Sequence, residues 1–304
     1  MKILIVGAGG VGCYLGAKLI KYKNDVLLLG RGAHLEAIMS EGLHVEDENA
    51  KFSISAKYFA TKAPLGVTYD LVILATKSYD IEQACHDIKG FLHADSILMC
   101  VSNGVAHIDI IKSVLPYTKV CEACIYILSN IKKPSTIKKY GGVFQLFIGS
   151  QEIEPLILEK LFHLFNDANL KTKISQNITL ECWRKYLFIS SFAIMTSFYD
   201  VSMGEIVEKH EEELREVLRE IILLANKKGI ALGEKNLEQA IYQAKNNIPY
   251  NSTTSMQLDF RNKKKPELEA LCGYLLKEAT KLHIELKVIF SLYKWLLIKE
   301  SQNA

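Results

Sequence analysis

An apolar run that ends abruptly in a glycine-rich turn constrains this chain more than any other feature. Lys2-Ile3-Leu4-Ile5-Val6 leads directly into Gly7-Ala8-Gly9-Gly10-Val11-Gly12. A stretch to about Lys23 follows, with Val11, Leu15, Leu19 and Ile20 on one helical face. The pattern G-x-G-x-x-G is weak alone, but a strand before it and a helix after it are the context it needs. The first glycine makes a tight turn, the second admits a pyrophosphate to the backbone, and the third lets the helix pack on the strand. The anion then lies at the helix N-terminus, where unpaired N–H groups and the helix dipole favour it. Gly7, Ala8, Gly9, Gly10, Val11 and Gly12 are therefore expected to cradle a dinucleotide. A purely structural glycine turn is the alternative.

The end of the second strand, Asp25–Leu29, selects between dinucleotides. An NAD site usually carries Asp or Glu there, roughly 20 residues beyond the glycines. Here Gly30-Arg31 follows the strand. The planar guanidinium of Arg31 suits a ribose 2′-phosphate, which predicts NADP(H) as cofactor. Arg31 as a solvated loop residue is the other reading. Further strands are expected at Leu71–Ala75, Ile97–Val101 and Val120–Ile127, with helices at Tyr79–Phe91 and Ala106–Leu115. Apolar strands alternating with helices give a parallel sheet covered on both faces. Lys77 and Asn103 fall just past strand ends, the side on which open α/β sheets bind ligands. Ser135–Ser150 reads as a hairpin around Gly141-Gly142, followed by a helix at Glu154–Asn166 and a strand at Leu170–Ile174.

From Thr179 the strand pattern stops. Glu181–Phe198, Met203–Lys228, Leu237–Lys245, Pro266–Lys281 and Lys287–Lys299 all read as helices. At 304 residues the chain exceeds what one core usually serves. The expected organisation is an α/β, Rossmann-like NADP-binding domain over residues 1–176 and an all-α substrate and catalytic domain over 177–304. Lys185 opens the apolar segment Tyr186-Leu187-Phe188-Ile189. Desolvation there would lower its pKa and suit it to proton transfer. Snorkelling to solvent is the alternative.

Composition narrows the classes. Lys plus Arg number 37 against 34 Asp plus Glu, a net charge of +3, which argues against a nucleic-acid binder driven by bulk charge. The runs Lys132-Lys133, Lys138-Lys139 and Lys263–Lys265 read as solvated faces. No window approaches the ~18–20 uninterrupted apolar residues of a membrane span. The best, Val288 to Ile298, is broken by Lys294. No N-terminal signal is visible, so a cytoplasmic protein without membrane or nucleic-acid partners is expected. The 7 cysteines are odd in number and scattered, unlike a disulfide framework. Cys121 and Cys124 form a CxxC, but no second ligand pair follows and the segment reads as a strand. Buried free thiols and no metal are expected.

Several pieces in fixed order resemble the ketopantoate reductase (2-dehydropantoate 2-reductase) family over nearly the whole chain. They are the glycine loop, Arg31, Ala75-Thr76-Lys77, Ser102-Asn103-Gly104, Trp183-Arg184-Lys185, Gly204-Glu205, and Ser255-Met256-Gln257-Leu258-Asp259 through Glu267. The resemblance implies NADPH-dependent reduction of ketopantoate to pantoate, on the route to pantothenate and coenzyme A. It implies Lys185 as proton donor and Ser255 as holder of the substrate carboxylate. Glu267 would lie near Lys185 and the nicotinamide ribose, and Lys77 and Asn103 would line the cofactor and substrate cleft. Glu267 also reads as a helix N-terminal acid, and Ser255 as a cap for Met256–Phe260.

The chain departs from the family pattern where substrate is read. Four and eight residues beyond the lysine the family has asparagine, and here stand Ile189 and Ala193. Met203 replaces a third asparagine, and Leu286–Phe290 replaces a Pro-x-Asn segment. A site built to hydrogen-bond a hydroxyl discriminates through those groups. Ketopantoate, a more apolar 2-keto acid, and a weakened NADP-binding sensor or interaction protein therefore all stay open. Ser190, Ser191, Thr196 and Ser197 are candidate substitute contacts. The sequence leaves room for a homodimer without specifying a contact.

Overall fold

A computed structural model of the chain describes residues 1–48 and 50–303. In chain order the first part runs β1 (Lys2–Val6), α1 (Gly10–Lys21), β2 (Asp25–Leu29), α2 (Gly32–Glu41), β3 (Leu43–Asp47), β4 (Ala50–Ile54), β5 (Phe59–Ala60) and β6 (Tyr69–Leu74). It continues through α3 (Ile81–Ile88), β7 (Leu92–Cys100), α4 (His107–Val114), β8 (Lys119–Lys133), β9 (Thr136–Gly149), α5 (Pro155–Asp167) and β10 (Thr172–Ile174). These strands form one sheet in the order β4-β3-β9-β8-β7-β6-β1-β2-β5, with β10 paired to β9.

From β8 to β5 every neighbouring pair is parallel, as the buried apolar strands predict. The sheet as a whole is mixed, because β8–β9 and β3–β4 are antiparallel hairpins. The chain runs outward from β1 to β2, crosses to β3 and β4 at the opposite edge beside β9, comes back to β5 next to β2, and then passes β1 to β6, β7 and β8. The switch point lies between β1 and β6, where doubly wound sheets open a ligand crevice at the strands' carboxyl ends. Side chains alternate across β1: Ile3 and Ile5 join the layer holding Leu161 and Phe165 of α5, and Leu4 joins the layer holding Ile81, Cys85 and Ile111.

The structure corrects several local expectations. The hairpin turns at Pro134-Ser135, not at Gly141-Gly142; Ser135 adopts φ 59°. Both glycines lie inside β9, where Ile127 faces Phe144 but Leu128 faces Tyr140. They form a bulge, which glycine suits as well as it suits a turn. Strands β3, β4 and β5 and helix α2 lie outside the predicted elements, because they are short and weakly periodic.

The helical part comprises α6 (Ile178–Tyr199), α7 (Met203–Lys209), α8 (Glu211–Lys227), α9 (Glu234–Asn246), α10 (Ser255–Arg261), α11 (Tyr274–Lys281) and α12 (Lys287–Asn303). The expected Met203–Lys228 helix breaks at His210, whose φ is −130° and whose ring stacks on Tyr199 at 3.6 Å. The expected Pro266–Lys281 helix begins late, through one wide π turn at Glu269–Gly273. Phe192, Ile194 and Met195 in the middle of α6 are fully buried, so the other helices pack around it. Among the described residues no single helix is long and apolar enough to cross a membrane.

The described residues divide into two compact units. One comprises Met1–Ser102 and His107–Ile178; the other comprises Asn103–Ala106 and the chain from Thr179 onward. The segment Asn103–Ala106 thus groups with the helical unit, which a linear boundary near residue 176 misses.

Burial on α5 gives a direct test. Phe165 is fully buried, whereas Leu156 on the same helix is 60% exposed. Phe165→Ala is expected to cost about 3–5 kcal/mol and Leu156→Ala less than about 0.5 kcal/mol. Denaturant unfolding of the two variants checks the difference.

Candidate active site

The glycine loop shows which glycine does what. Gly7 has φ +112°, and a Cβ there would lie 2.5 Å from the Ala75 carbonyl oxygen. A Cβ at Gly12 would lie 2.0 Å from the Gly7 carbonyl oxygen, and one at Gly10 would lie 2.2 Å from that of Ser129. These three let α1 sit tightly on β1, β6 and β8. At Gly9 a Cβ would meet nothing within 4 Å, so the space before its backbone is open. Gly9 is also the N-cap of α1, with no side-chain cap and no acidic residue in the first turn. Uncapped N–H groups facing open space are what a phosphate requires. Thr76 Oγ1, on the strand end that Gly7 packs against, is buried without a hydrogen-bond partner among the described residues. The loop therefore fits a dinucleotide pyrophosphate.

The neighbouring strand ends carry the charges. Gly30 closes on the loop, where a Cβ would lie 2.6 Å from that of Ala8. Arg31 follows it as the N-cap of α2 and pairs through Nη2 with Asp80 Oδ2 at 2.6 Å. Lys77 is half-buried and starts a 3-10 turn over Ser78–Asp80, its carbonyl accepting from the Asp80 N–H at 3.0 Å.

In the helical unit Lys185 is half-buried on the first turns of α6, and its Nζ donates to Asn103 Oδ1 at 3.0 Å. Two residues singled out separately in the sequence are thus brought together. Ile189 and Ala193 share the Lys185 face of α6 at i+4 and i+8. Ile189 is half-buried, Ala193 is 2% exposed and Met203 is 5% exposed. Ser190, Ser191, Thr196 and Ser197 are all buried, and Ser191 Oγ turns back to the Leu187 carbonyl at 2.8 Å.

Helix α6 also holds the segments bearing the remaining candidates. Tyr186 donates its hydroxyl to the Ala270 carbonyl at 2.8 Å, pinning the π turn that follows Glu267. Glu267 is buried and stands at the N-terminus of that helical stretch, its carbonyl accepting from the Leu271 N–H at 3.0 Å, as the helix N-terminal reading expects. Thr196 and Thr254 share a hydroxyl hydrogen bond of 2.8 Å. Thr254, not Ser255, caps α10; its Oγ1 accepts from the Gln257 N–H. Ser255 is the first residue of α10 and is exposed. Gln257, fully buried, donates to the Val201 carbonyl at 3.0 Å, and Arg261 donates to Asp200 at 2.7 Å. Gly204 takes the Tyr250 ring against its backbone, where a Cβ would clash at 2.4 Å.

Asp80, Thr196 and Thr254 escaped sequence reasoning as partners, since only their sequence-distant contacts reveal them. So did Cys100, at the end of β7. Burial pushes its thiol up, but His107 and Ser102 outweigh that and hold it below its ordinary pKa. Cys121 and Cys124 are both buried. Three apart on β8, they point to opposite faces. Burial pushes the Cys121 thiol up to about 12. Among the described residues no three His, Cys, Asp or Glu side chains are grouped to hold a metal ion.

Comparison with known proteins identifies the family. The family model described as ketopantoate reductase PanE/ApbA matches residues 3–152, and its C-terminal counterpart matches residues 177–300. The oxidoreductase YkpB of Bacillus subtilis (strain 168) is 27% identical, with 100% of both chains covered. The 2-dehydropantoate 2-reductase of Pyrococcus horikoshii is 28% identical, covering 100% of this chain and 98% of its own. In fold, the chain is similar to D-mandelate dehydrogenase, solved with NADH and anilino(oxo)acetate, at TM-score 0.92 and 21% identity, covering 100% of this chain and 99% of that one. With both family models matched across most of its length, the chain belongs to the ketopantoate reductase PanE/ApbA family of oxidoreductases.

Proposed function

We propose that this chain reduces the keto group of a small 2-keto acid at the expense of NADPH, with 2-dehydropantoate as the first substrate to test. The observation that carries the reading is the Lys185 ammonium held by Asn103 Oδ1 at 3.0 Å. Family membership supplies the reaction class, and the open, uncapped glycine loop supplies a seat for the cofactor pyrophosphate. When bound, that cofactor supplies the hydride.

The chain's own residues then do the rest. Reduction builds negative charge on the ketone oxygen. Lys185 stabilises that charge and delivers the proton. Asn103 aims the ammonium by accepting one of its hydrogens, so the donor need not be ordered during the reaction. Ser255 binds the substrate carboxylate through its hydroxyl. Glu267 acts beside Lys185 and the nicotinamide ribose, and Lys77 contacts the cofactor. Arg31 reads the 2′-phosphate with its planar fork.

A specific observation favours a second substrate reading. Ile189, Ala193 and Met203 present hydrocarbon where the family offers amides. A more apolar 2-keto acid would suit that surface, as the aryl-bearing acid named for the D-mandelate dehydrogenase structure illustrates.

Purified protein, either nicotinamide cofactor and 2-keto acids running from 2-dehydropantoate to an aryl glyoxylate separate these readings by nicotinamide absorbance. Fastest turnover with 2-dehydropantoate supports the first, and preference for the aryl acid supports the second. No cofactor oxidation with any of them would sink the enzyme reading. Lys185→Ala is expected to lower turnover by about 10²-fold or more, and near-normal rates would remove it as proton donor. Two glycine variants test the cofactor seat. Gly9→Ala, with open space before it, should fold with an unchanged melting temperature yet bind dinucleotide at least tenfold more weakly. Gly12→Ala, aimed at the Gly7 carbonyl, should lose about 1–3 kcal/mol of stability as well. Equal stability losses in both variants would contradict that division of roles.

A further inference from the structure

Arg31 and Asp80 carry one inference further, and it rests on the NADPH reading above. Arg31 follows β2, and Asp80 ends the turn that follows β6. Between those strands stands β1, whose end opens into the glycine loop. Two strand spacings, roughly 10 Å, separate β2 from β6. The two side chains close that gap at 2.6 Å and so bridge the strand end from which the loop departs.

Asp80 does not make the helix cap that its position invites. Asp80 immediately precedes α3, where aspartate commonly accepts from the first N–H groups, yet its side chain makes no cap. The Arg31 side chain is 83% exposed and that of Asp80 is 30% exposed, so the aspartate is the sheltered member and the arginine reaches to it.

We propose that Asp80 discriminates between cofactors: its carboxylate stands in for the ribose 2′-phosphate on Arg31 and must be displaced by that phosphate. Phosphate wins the exchange because it carries more charge and more acceptor oxygens for the same fork. Exposed ion pairs are weak, so the exchange is easy. Asp80 nonetheless opposes it twice, as a competitor for Arg31 and as a nearby like charge. A cofactor without the 2′-phosphate leaves the pair closed and meets neither opposition.

Binding titrations of the full chain test this, with NADPH and NADH followed by fluorescence and 2′,5′-ADP and 5′-ADP by calorimetry. The proteins compared are wild type, Asp80→Asn, Arg31→Ala and the double variant. Asp80→Asn is expected to bind NADPH and 2′,5′-ADP roughly two- to fivefold tighter, with NADH and 5′-ADP unchanged. In the Arg31→Ala background the same substitution should tighten NADPH and 2′,5′-ADP clearly less than in wild type, because only the like-charge repulsion is then relieved. Unchanged or weaker NADPH binding in Asp80→Asn overturns the proposal, and so does equal tightening for NADH. Equal losses of NADPH and NADH in Arg31→Ala alone would remove the NADPH reading itself, and the proposal with it.

Discussion

The first unit depends on how closely α1 approaches the strands beneath it. Gly7 lies on the Ala75 backbone, Gly12 on the Gly7 carbonyl and Gly10 on Ser129, each at a distance no side chain permits. A methyl group at any of them would push the helix away from the sheet. That approach sets the N-terminus of α1 at the end of β1, beside the β1–β6 switch point. The uncapped N–H groups, the open face of Gly9 and the unpartnered Thr76 hydroxyl follow from it. Tight packing and anion binding are one constraint here, because the contacts that fix the helix also aim its dipole.

In the helical unit α6 plays the corresponding part. Its length gives it separate stations: Lys185 and Tyr186 in its first half, Thr196 near its end and Asp200 just beyond. Each station holds a different segment, namely Asn103, the π turn after Glu267, Thr254 beside Ser255, and Arg261. Residues dispersed in sequence are thereby tied to one rigid rod. Side chains on a buried helix are held more firmly than side chains on loops, which suits a reaction in which a proton donor must be placed within tenths of an ångström.

Legibility in the sequence followed periodicity and spacing. The glycine loop, the parallel strands and the change to helices near residue 178 were readable because each repeats a local pattern. Lys185 and Asn103 were readable as candidates, but their meeting was not, since 82 residues separate them. The same holds for Arg31 with Asp80, 49 apart, and Thr196 with Thr254, 58 apart. Such pairs are products of tertiary packing. Local competition explains other misses. Gly141-Gly142 has turn chemistry, yet Pro134-Ser135 took the turn and left the glycines to a bulge. The apolar pattern runs from Ile206 and Val207 on to Leu214 across His210, but His210 stacks on Tyr199 and the helix breaks there.

On the proposed reading, chemistry and selectivity separate along α6. Lys185 and Asn103 form a polar pair that, as the proposed proton donor and its holder, would serve any 2-keto acid, because proton delivery needs only the ketone oxygen. One and two turns on, half-buried Ile189 and buried Ala193 offer no hydrogen bond, and Met203 is equally apolar and also buried. A hydroxyl brought against such side chains would lose its water without replacement, at a cost of about 1–3 kcal/mol. Hydrocarbon surfaces, in contrast, discriminate one methylene by only about 1–3 kcal/mol. On that reading this face of the helix would disfavour a hydroxylated acid and tolerate apolar ones, selecting by exclusion of polarity where an amide-lined face would select by recognition.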